Sequence, residues 1–111
     1  MKYTALQDYS KVNGTSLKGY VDVSYATLIE MFGEPLEGDG YKTDAEWVIA
    51  FKRNGGTVYA TIYNYKDGRN YCGEEGLDVE DITDWHIGGT TQLAETYVHM
   101  AVEEFLAKEQ A

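Results

Sequence analysis

The chain has 111 residues, 43% hydrophobic and 14% aromatic, enough to fold as one domain, residues 1–111, without metal or disulfide support. Its 19 acidic and 9 basic residues give a net charge of −10, which disfavours direct nucleic-acid or anionic-membrane binding but permits docking on a basic protein surface. The single cysteine, Cys72, excludes an internal disulfide, and no apolar run approaches the roughly 20 residues of a membrane span, so a soluble, cytoplasmic protein is expected.

Residues 1–14 have mixed polarity, end in the turn signal Asn13-Gly14, and read as a short lead-in strand or arm. Residues 17–23 alternate, with Leu17, Gly19, Val21 and Val23 on one side and Lys18, Tyr20 and Asp22 on the other, which predicts a strand. Ser24 is placed to cap a short helix whose apolar side is Leu28, Ile29 and Phe32, stopped by Gly33 and Pro35. Residues 37–40 form a glycine-rich loop. Two strands follow, residues 45–53 and 57–65, joined at Asn54-Gly55-Gly56, a hairpin signal. A two-residue loop puts Trp47, Ile49 and Phe51 on the same side as Val58, Ala60 and Ile62, whereas a three-residue loop puts them beside the tyrosines. The matching of apolar sets favours the two-residue loop.

Residues 66–69 make the next turn and lead into a loop over residues 70–81. Residues 82–87 are the last predicted strand, with Trp85 and Ile87 inward and Asp84 and His86 outward, and Gly88-Gly89 is expected to break it. A capped helix starts from Thr90 or Thr91 and runs to about Lys108 on the stripe Leu93, Ala94, Tyr97, Val98, Ala101, Phe105 and Leu106. The order β-α-β-β-β-α predicts an α+β two-layer sandwich: an antiparallel sheet of about four strands with both helices packed on one face.

The hairpin phase leaves Tyr59, Thr61, Tyr63 and Tyr65 on the face away from the helices, with Tyr20, Lys52, Asp84 and His86, over a small apolar floor of Val48 and Ala50. Flanking loops add Tyr41, Lys42, Lys66, Arg69, Asn70 and Tyr71. Tyrosine rings offer flat stacking surfaces at low entropic cost; Asn, Asp and His give directional hydrogen bonds, and Lys and Arg neutralise phosphate. The candidate site is therefore Tyr41, Lys42, Tyr59, Tyr63, Tyr65, Lys66, Arg69, Asn70, Tyr71, Asp84 and His86. Tyr59, Tyr63 and Tyr65 would bound or stack on a base; Lys42, Lys66 and Arg69 would meet phosphates; Asn70, Asp84 and His86 would fix polar edges.

Other motifs fall short. Cys72 and His86 could act as nucleophile and base with Asp84 behind, but no spacing enforces it, and Glu74 and Glu75 would raise the thiol pKa. The run Glu74, Glu75, Asp78, Glu80, Asp81 and Asp84 lacks the spacing of a calcium loop and reads as solvated. His86 and His99 form no metal pair, with His99 structural or exposed. Gly88-Gly89 precedes a helix whose free donors near Thr90 and Thr91 could hold an anion beside His86. No metal, cofactor or catalytic residue is expected.

The strings Gly19-Tyr-Val-Asp-Val-Ser-Tyr25, Gly38-Asp-Gly-Tyr-Lys-Thr-Asp44, Ala60-Thr-Ile-Tyr-Asn-Tyr65, Asn70-Tyr-Cys-Gly73 and Ile82-Thr-Asp-Trp-His-Ile-Gly-Gly89 resemble a family of small orphan proteins encoded by bacteriophages. The resemblance covers most of residues 19–89 and carries no catalytic residues. It implies a counter-defence role in the host cytoplasm, either occupying a defence protein, as anti-CRISPR proteins do, or sequestering a nucleotide immune signal. The expected partner is thus a nucleotide-like small molecule, or alternatively a basic host defence protein whose nucleic-acid-binding surface the acidic chain occludes. A homo-oligomer building its pocket between subunits is expected for so short a chain.

Overall fold

The computed structural model describes residues 1–110. Five strands, β1 (Tyr3–Leu6), β2 (Ser16–Asp22), β3 (Glu46–Arg53), β4 (Gly56–Tyr63) and β5 (Asp84–Gly89), form one antiparallel sheet in the order β1-β3-β4-β5-β2. Helices α1 (Tyr25–Phe32) and α3 (Leu93–Gln110) are long enough to build a layer; α2 (Arg69–Cys72) is a single turn. The α+β sandwich predicted from the sequence is the architecture found, with one strand more than expected. That strand, β1, is the lead-in segment, which pairs with β3 through Tyr3↔Phe51 and Leu6↔Val48.

The turn Asn54-Gly55 closes the β3–β4 hairpin in two residues, with Gly55 at φ 84, in the left-handed region that glycine enters without steric cost. The register Trp47↔Ile62, Ile49↔Ala60 and Phe51↔Val58 follows, so these apolar residues share one face. Trp85 and Ile87 of β5 and Val21 of β2 join them. Both main helices cover that face: α1 inserts Leu28 and Phe32, and α3 inserts Ala94, Val98, Ala101 and Val102. Ser24 Oγ accepts the Thr27 amide at 3.1 Å to start α1, and Gly33, at φ 83, ends it. The indole N–H groups of both tryptophans are satisfied, Trp47 donating to Gly33 O and Trp85 to Val23 O.

Gly88 and Gly89, expected to break the last strand, lie inside β5, paired with Thr61 and Ala60. A Cβ on Gly89 would collide with Ala94 of α3, and one on Gly88 would press on Thr61 Oγ1. Here the glycines permit close approach of helix and neighbouring side chain.

Strands β1 and β2 lie on opposite edges, so residues 7–15 must traverse the sheet, about 19 Å at roughly 4.8 Å per strand step. They do so over the face away from the helices. Val12 is buried there, as are Val48 and Ala50, and none of the three belongs to the helix-side core. The apolar floor read as open is therefore roofed by this crossing segment, and Thr61 beneath it is 2% exposed.

The edges are finished differently. On β2, Gln92 Nε2, just before α3, donates to Lys18 O at 2.7 Å and His99 Nε2 of α3 meets Tyr20 O at 2.9 Å, so these side chains occupy carbonyls on the outer edge of the strand. His99 thus has a structural place. No helix among the described residues is long and apolar enough to cross a membrane.

Candidate functional site

The half of the open face that the crossing segment leaves free is organised by one transverse row. Registers Glu46↔Tyr63, Tyr63↔His86 and Tyr20↔His86 place Glu46, Tyr63, His86 and Tyr20 side by side on four adjacent strands. His86 is the hub: its ring lies 4.8 Å from Tyr20, 5.4 Å from Tyr63 and 5.6 Å from Tyr65, centroid to centroid. The Lys66 ammonium sits 5.2 Å from the Tyr65 ring centre and 5.4 Å from that of Tyr71, and Tyr71 packs 5.2 Å from Tyr41. Tyr20, Tyr41, Tyr65 and Tyr71 are each at least 40% exposed, so the rings form a continuous surface band. Aromatic pairs of this kind and cations over ring faces each contribute about 0.5–1.5 kcal/mol beyond area burial, which limits their wandering.

A polar scaffold holds the loops that carry this band. Fully buried Asn64 accepts the Asp44 and Ala45 amides through Oδ1 (2.7 and 3.2 Å) and donates to Asp44 Oδ1 and Asp67 Oδ1 (2.8 and 3.0 Å). Asp39 Oδ1 accepts the amides of Tyr41, Lys42 and Thr43 and the Thr43 hydroxyl; those backbone bonds hold its carboxyl below the usual range. Lys66 N donates to Lys42 O at 2.8 Å, joining the two loops directly. Lys66 itself adopts φ 60, a left-handed conformation that costs a non-glycine residue about 1–2 kcal/mol.

Among the residues singled out from the sequence, Tyr41, Tyr63, Tyr65, Lys66, Tyr71 and His86 come together. Lys42 is half-buried beside them, anchored through its backbone. Asn70 is engaged in structure: its amide donates to Thr43 O and its backbone N–H to Asp44 Oδ2. Arg69 pairs through Nε with Asp78 at 2.8 Å in an exposed ion pair that engages only one of its five guanidinium donors. Asp84 faces Asp22 across the β2–β5 ladder and makes no hydrogen bond to His86. Tyr59 is on the same face four residues from Tyr63, beside Ala50, and joins none of the ring contacts. The Cys72 thiol donates to Lys66 O at 3.2 Å and does not meet His86, so the nucleophile–base–carboxylate arrangement is not assembled. The first turn of α3 lies in the helix layer, on the opposite face from His86, which separates the anion site imagined there from the tyrosines. Among the described residues no cluster of three or more His, Cys, Asp or Glu side chains is placed to hold a metal ion.

Glu46 was overlooked, although its alternation with Val48 and Ala50 puts it on this face. It opens into a cleft of about 250 Å³ with Asp39, Thr43, Thr61, Tyr63 and Tyr65 on the walls and Gly88 on the floor. Burial, then the nearby Asp39 charge, pushes its carboxyl up from the ordinary 4.5 to about 7. Among the described residues its side chain makes neither a hydrogen bond nor an ion pair, while its backbone exchanges two with Leu36. Burial, and after it Glu46, also raises Tyr63, keeping its hydroxyl protonated. A larger hollow of about 470 Å³ between β1 and α3 is walled by exposed Lys2, Lys52 and Lys108, with Glu104 held by the Met1 ammonium at 3.1 Å. It has no comparable fixed polar set.

A pH dependence follows from Glu46. A carboxyl whose folded pKa exceeds its unfolded value favours the fold while neutral, so its contribution is full below about 4.5 and lost as pH rises through about 7. Glu46→Gln is expected to remove that decline and to exceed the parent in stability at pH 8. Urea midpoints at pH 5 and pH 8 for both proteins check it.

No family model, no curated protein and no solved structure matches the chain.

Proposed function

We propose that the chain is a non-catalytic binding protein that holds a nucleotide-like small molecule against the tyrosine band and so withdraws it from use. In the counter-defence setting implied by the resemblance to phage proteins, that molecule is a nucleotide immune signal. The observation that supports this reading most is the succession Tyr20, His86, Tyr65, Lys66, Tyr71 and Tyr41: stacking faces interrupted by one cation, mounted on loops tied by buried hydrogen bonds. A flat, partly anionic molecule uses both elements, and pre-set side chains reduce the ordering cost of binding it. A second copy of the chain closing over the band would enlarge the enclosed volume.

Calorimetric titration with cyclic dinucleotides and ADP-ribose derivatives tests the reading. Stoichiometric heat with intact ligand recovered supports sequestration; absence of heat with every nucleotide overturns it, and a chemically altered ligand makes the protein an enzyme. Lys66→Gly sharpens the test, because glycine relieves the left-handed backbone while deleting the cation. Stability should stay within about 1 kcal/mol of the parent, while affinity for a phosphate-bearing ligand falls about tenfold, the loss of one charge-assisted contact.

A second reading has its own support. The loop after α2 exposes Glu74, Glu75, Glu80 and Asp81 around two 3-10 turns, an acidic surface near the exposed Tyr71. An inhibitor that occludes a basic surface of a host defence protein would use both. Salt-sensitive capture of a basic nuclease, abolished by charge reversal within residues 74–81, is its expected result.

A further inference from the structure

We propose that the cleft beside Glu46 is a base pocket selective for a guanine-type edge, with Glu46 accepting two adjacent N–H donors and the phosphates left outside toward Lys66. This rests on the nucleotide-binding reading above and specifies the ligand's chemistry.

The cleft is lined by two carboxylates, by hydroxyls and by rings, and no lysine or arginine reaches its wall. A phosphate would therefore meet two carboxylates and no cation there, whereas the neutral part of a nucleotide is unopposed. Of the two carboxylates, Asp39 spends Oδ1 on three backbone amides and the Thr43 hydroxyl. The Glu46 side chain has both oxygens without a hydrogen-bond partner, so it is the carboxylate that can take two donors side by side. About 250 Å³ is enough for a purine, and Tyr63 and Tyr65 supply ring surface along the wall. Lys66 is not part of that wall but lies 5.2 Å from the Tyr65 ring centre, within reach of a phosphate that stays outside the cleft.

Base identity follows from donor and acceptor order. An ionised carboxylate is acceptor-only, with two oxygens that match parallel N–H donors. Guanine presents such a pair at N1 and N2. Adenine and cytosine place an acceptor next to their amino group, and uracil flanks one donor with two acceptors, so each sets a lone pair against a carboxylate oxygen. A protonated carboxyl loses that selectivity, because its O–H and its carbonyl pair with any edge that sets an acceptor beside an N–H, guanine's O6 and N1 included. Only the ionised form of Glu46 thus singles out guanine.

The groups facing Glu46 are Asp39 from the preceding loop, Tyr63 from β4, Tyr65 beyond the strand end and Tyr9 from the crossing segment, with His86 next in the row past Tyr63. Asp39 is held low by its backbone bonds, and Tyr9 and Tyr63 are both raised by burial. None of these three changes charge between pH 6 and 8. Over that interval the ionised fraction of a carboxyl at about 7 rises from about a tenth to about nine tenths, and guanine affinity should rise about tenfold with it.

The experiment is calorimetry of the intact chain with the 5′-monophosphates of guanosine, adenosine, cytidine and uridine at pH 6 and pH 8, repeated with Glu46→Gln, which keeps His86. Expected are preference for the guanosine nucleotide at pH 8, weakening about tenfold at pH 6, and in Glu46→Gln a loss of at least tenfold with no remaining pH dependence. Tighter adenosine or cytidine than guanosine binding at pH 8, guanosine binding that strengthens toward pH 6, or an unchanged Glu46→Gln profile would overturn the pocket assignment while nucleotide binding stands. If no nucleotide binds at either pH, both the assignment and the binding reading fall. Should Glu46→Gln misfold, the parent's ratio of guanosine to adenosine affinity at the two pH values decides the matter, because the phosphate, which itself titrates at about pH 6, is common to both ligands.

Discussion

Asn64→Asp is expected to destabilise the protein by about 3–5 kcal/mol and to disorganise the tyrosine band together with it. The substitution keeps the oxygen that receives the Asp44 and Ala45 amides but converts the two donations to Asp44 and Asp67 into contacts between carboxylates. Asn64 is wholly buried, so water cannot replace the lost donors, and like charges in a buried site repel strongly. The consequences reach the surface because the same network ties residues 41–45 to residues 64–70, which carry Tyr41, Lys42, Tyr65 and Lys66. Urea unfolding followed by tryptophan fluorescence measures the loss, which should shrink toward acidic pH as carboxyls take up protons. A midpoint within experimental error of the parent would show that the network contributes little.

Trp85→Ala is expected to cost about 3–5 kcal/mol as well, a large share of the roughly 5–15 kcal/mol that holds a domain of this size. Its indole is fully buried at the centre of the helix-side core, 5.3 Å from Trp47 and 6.3 Å from Tyr25, centroid to centroid. Truncation opens a cavity under α1 and strands the Val23 carbonyl that now receives Nε1–H at 2.9 Å. Chemical denaturation should give a lower midpoint with an unchanged slope, and near-ultraviolet dichroism should lose much of its intensity. Retention of the parent midpoint would mean that the neighbouring helices close over the gap. Phenylalanine at the same position should recover most of the packing but not the hydrogen bond.

The sheet was largely legible because its signals are local. Alternation over residues 45–53 and 57–65 and the Asn54-Gly55 turn fix the hairpin phase, and that phase decides which face the tyrosines occupy. Three features were not fully legible, each for a different reason. The opening segment read as a lead-in strand or arm, but four residues of mixed polarity do not show that it joins the sheet beside β3, across more than forty intervening residues. Gly88-Gly89 carries a breaker's composition, and the need for close approach by Ala94 and Thr61 exists only in the folded chain. The roof over Val48 and Ala50 is a matter of strand order, since a neighbouring-edge placement of β1 and β2 would have left the face clear.

The site divides along the same line. Tyr63, Tyr65 and His86 follow from register, and Lys66, Tyr41 and Tyr71 follow from loops adjacent to it. Asn70 looked like a ligand contact by residue type, yet the fold uses it internally against Thr43 and Asp44, while Arg69 stands in an exposed ion pair with Asp78. Glu46 was not singled out, because residue type alone does not set a carboxylate at the start of a strand apart from a solvated one. Its phase in β3 was the available signal, and strand order turns that phase into a place beside Tyr63.

The way α3 finishes the β2 edge governs how copies of this chain can associate. With Gln92 and His99 seated on the carbonyls of Lys18 and Tyr20, an incoming strand finds its hydrogen-bond acceptors taken, and the irregularity at Lys18 spoils the repeat it would need. Lateral growth into fibrils is disfavoured on that flank.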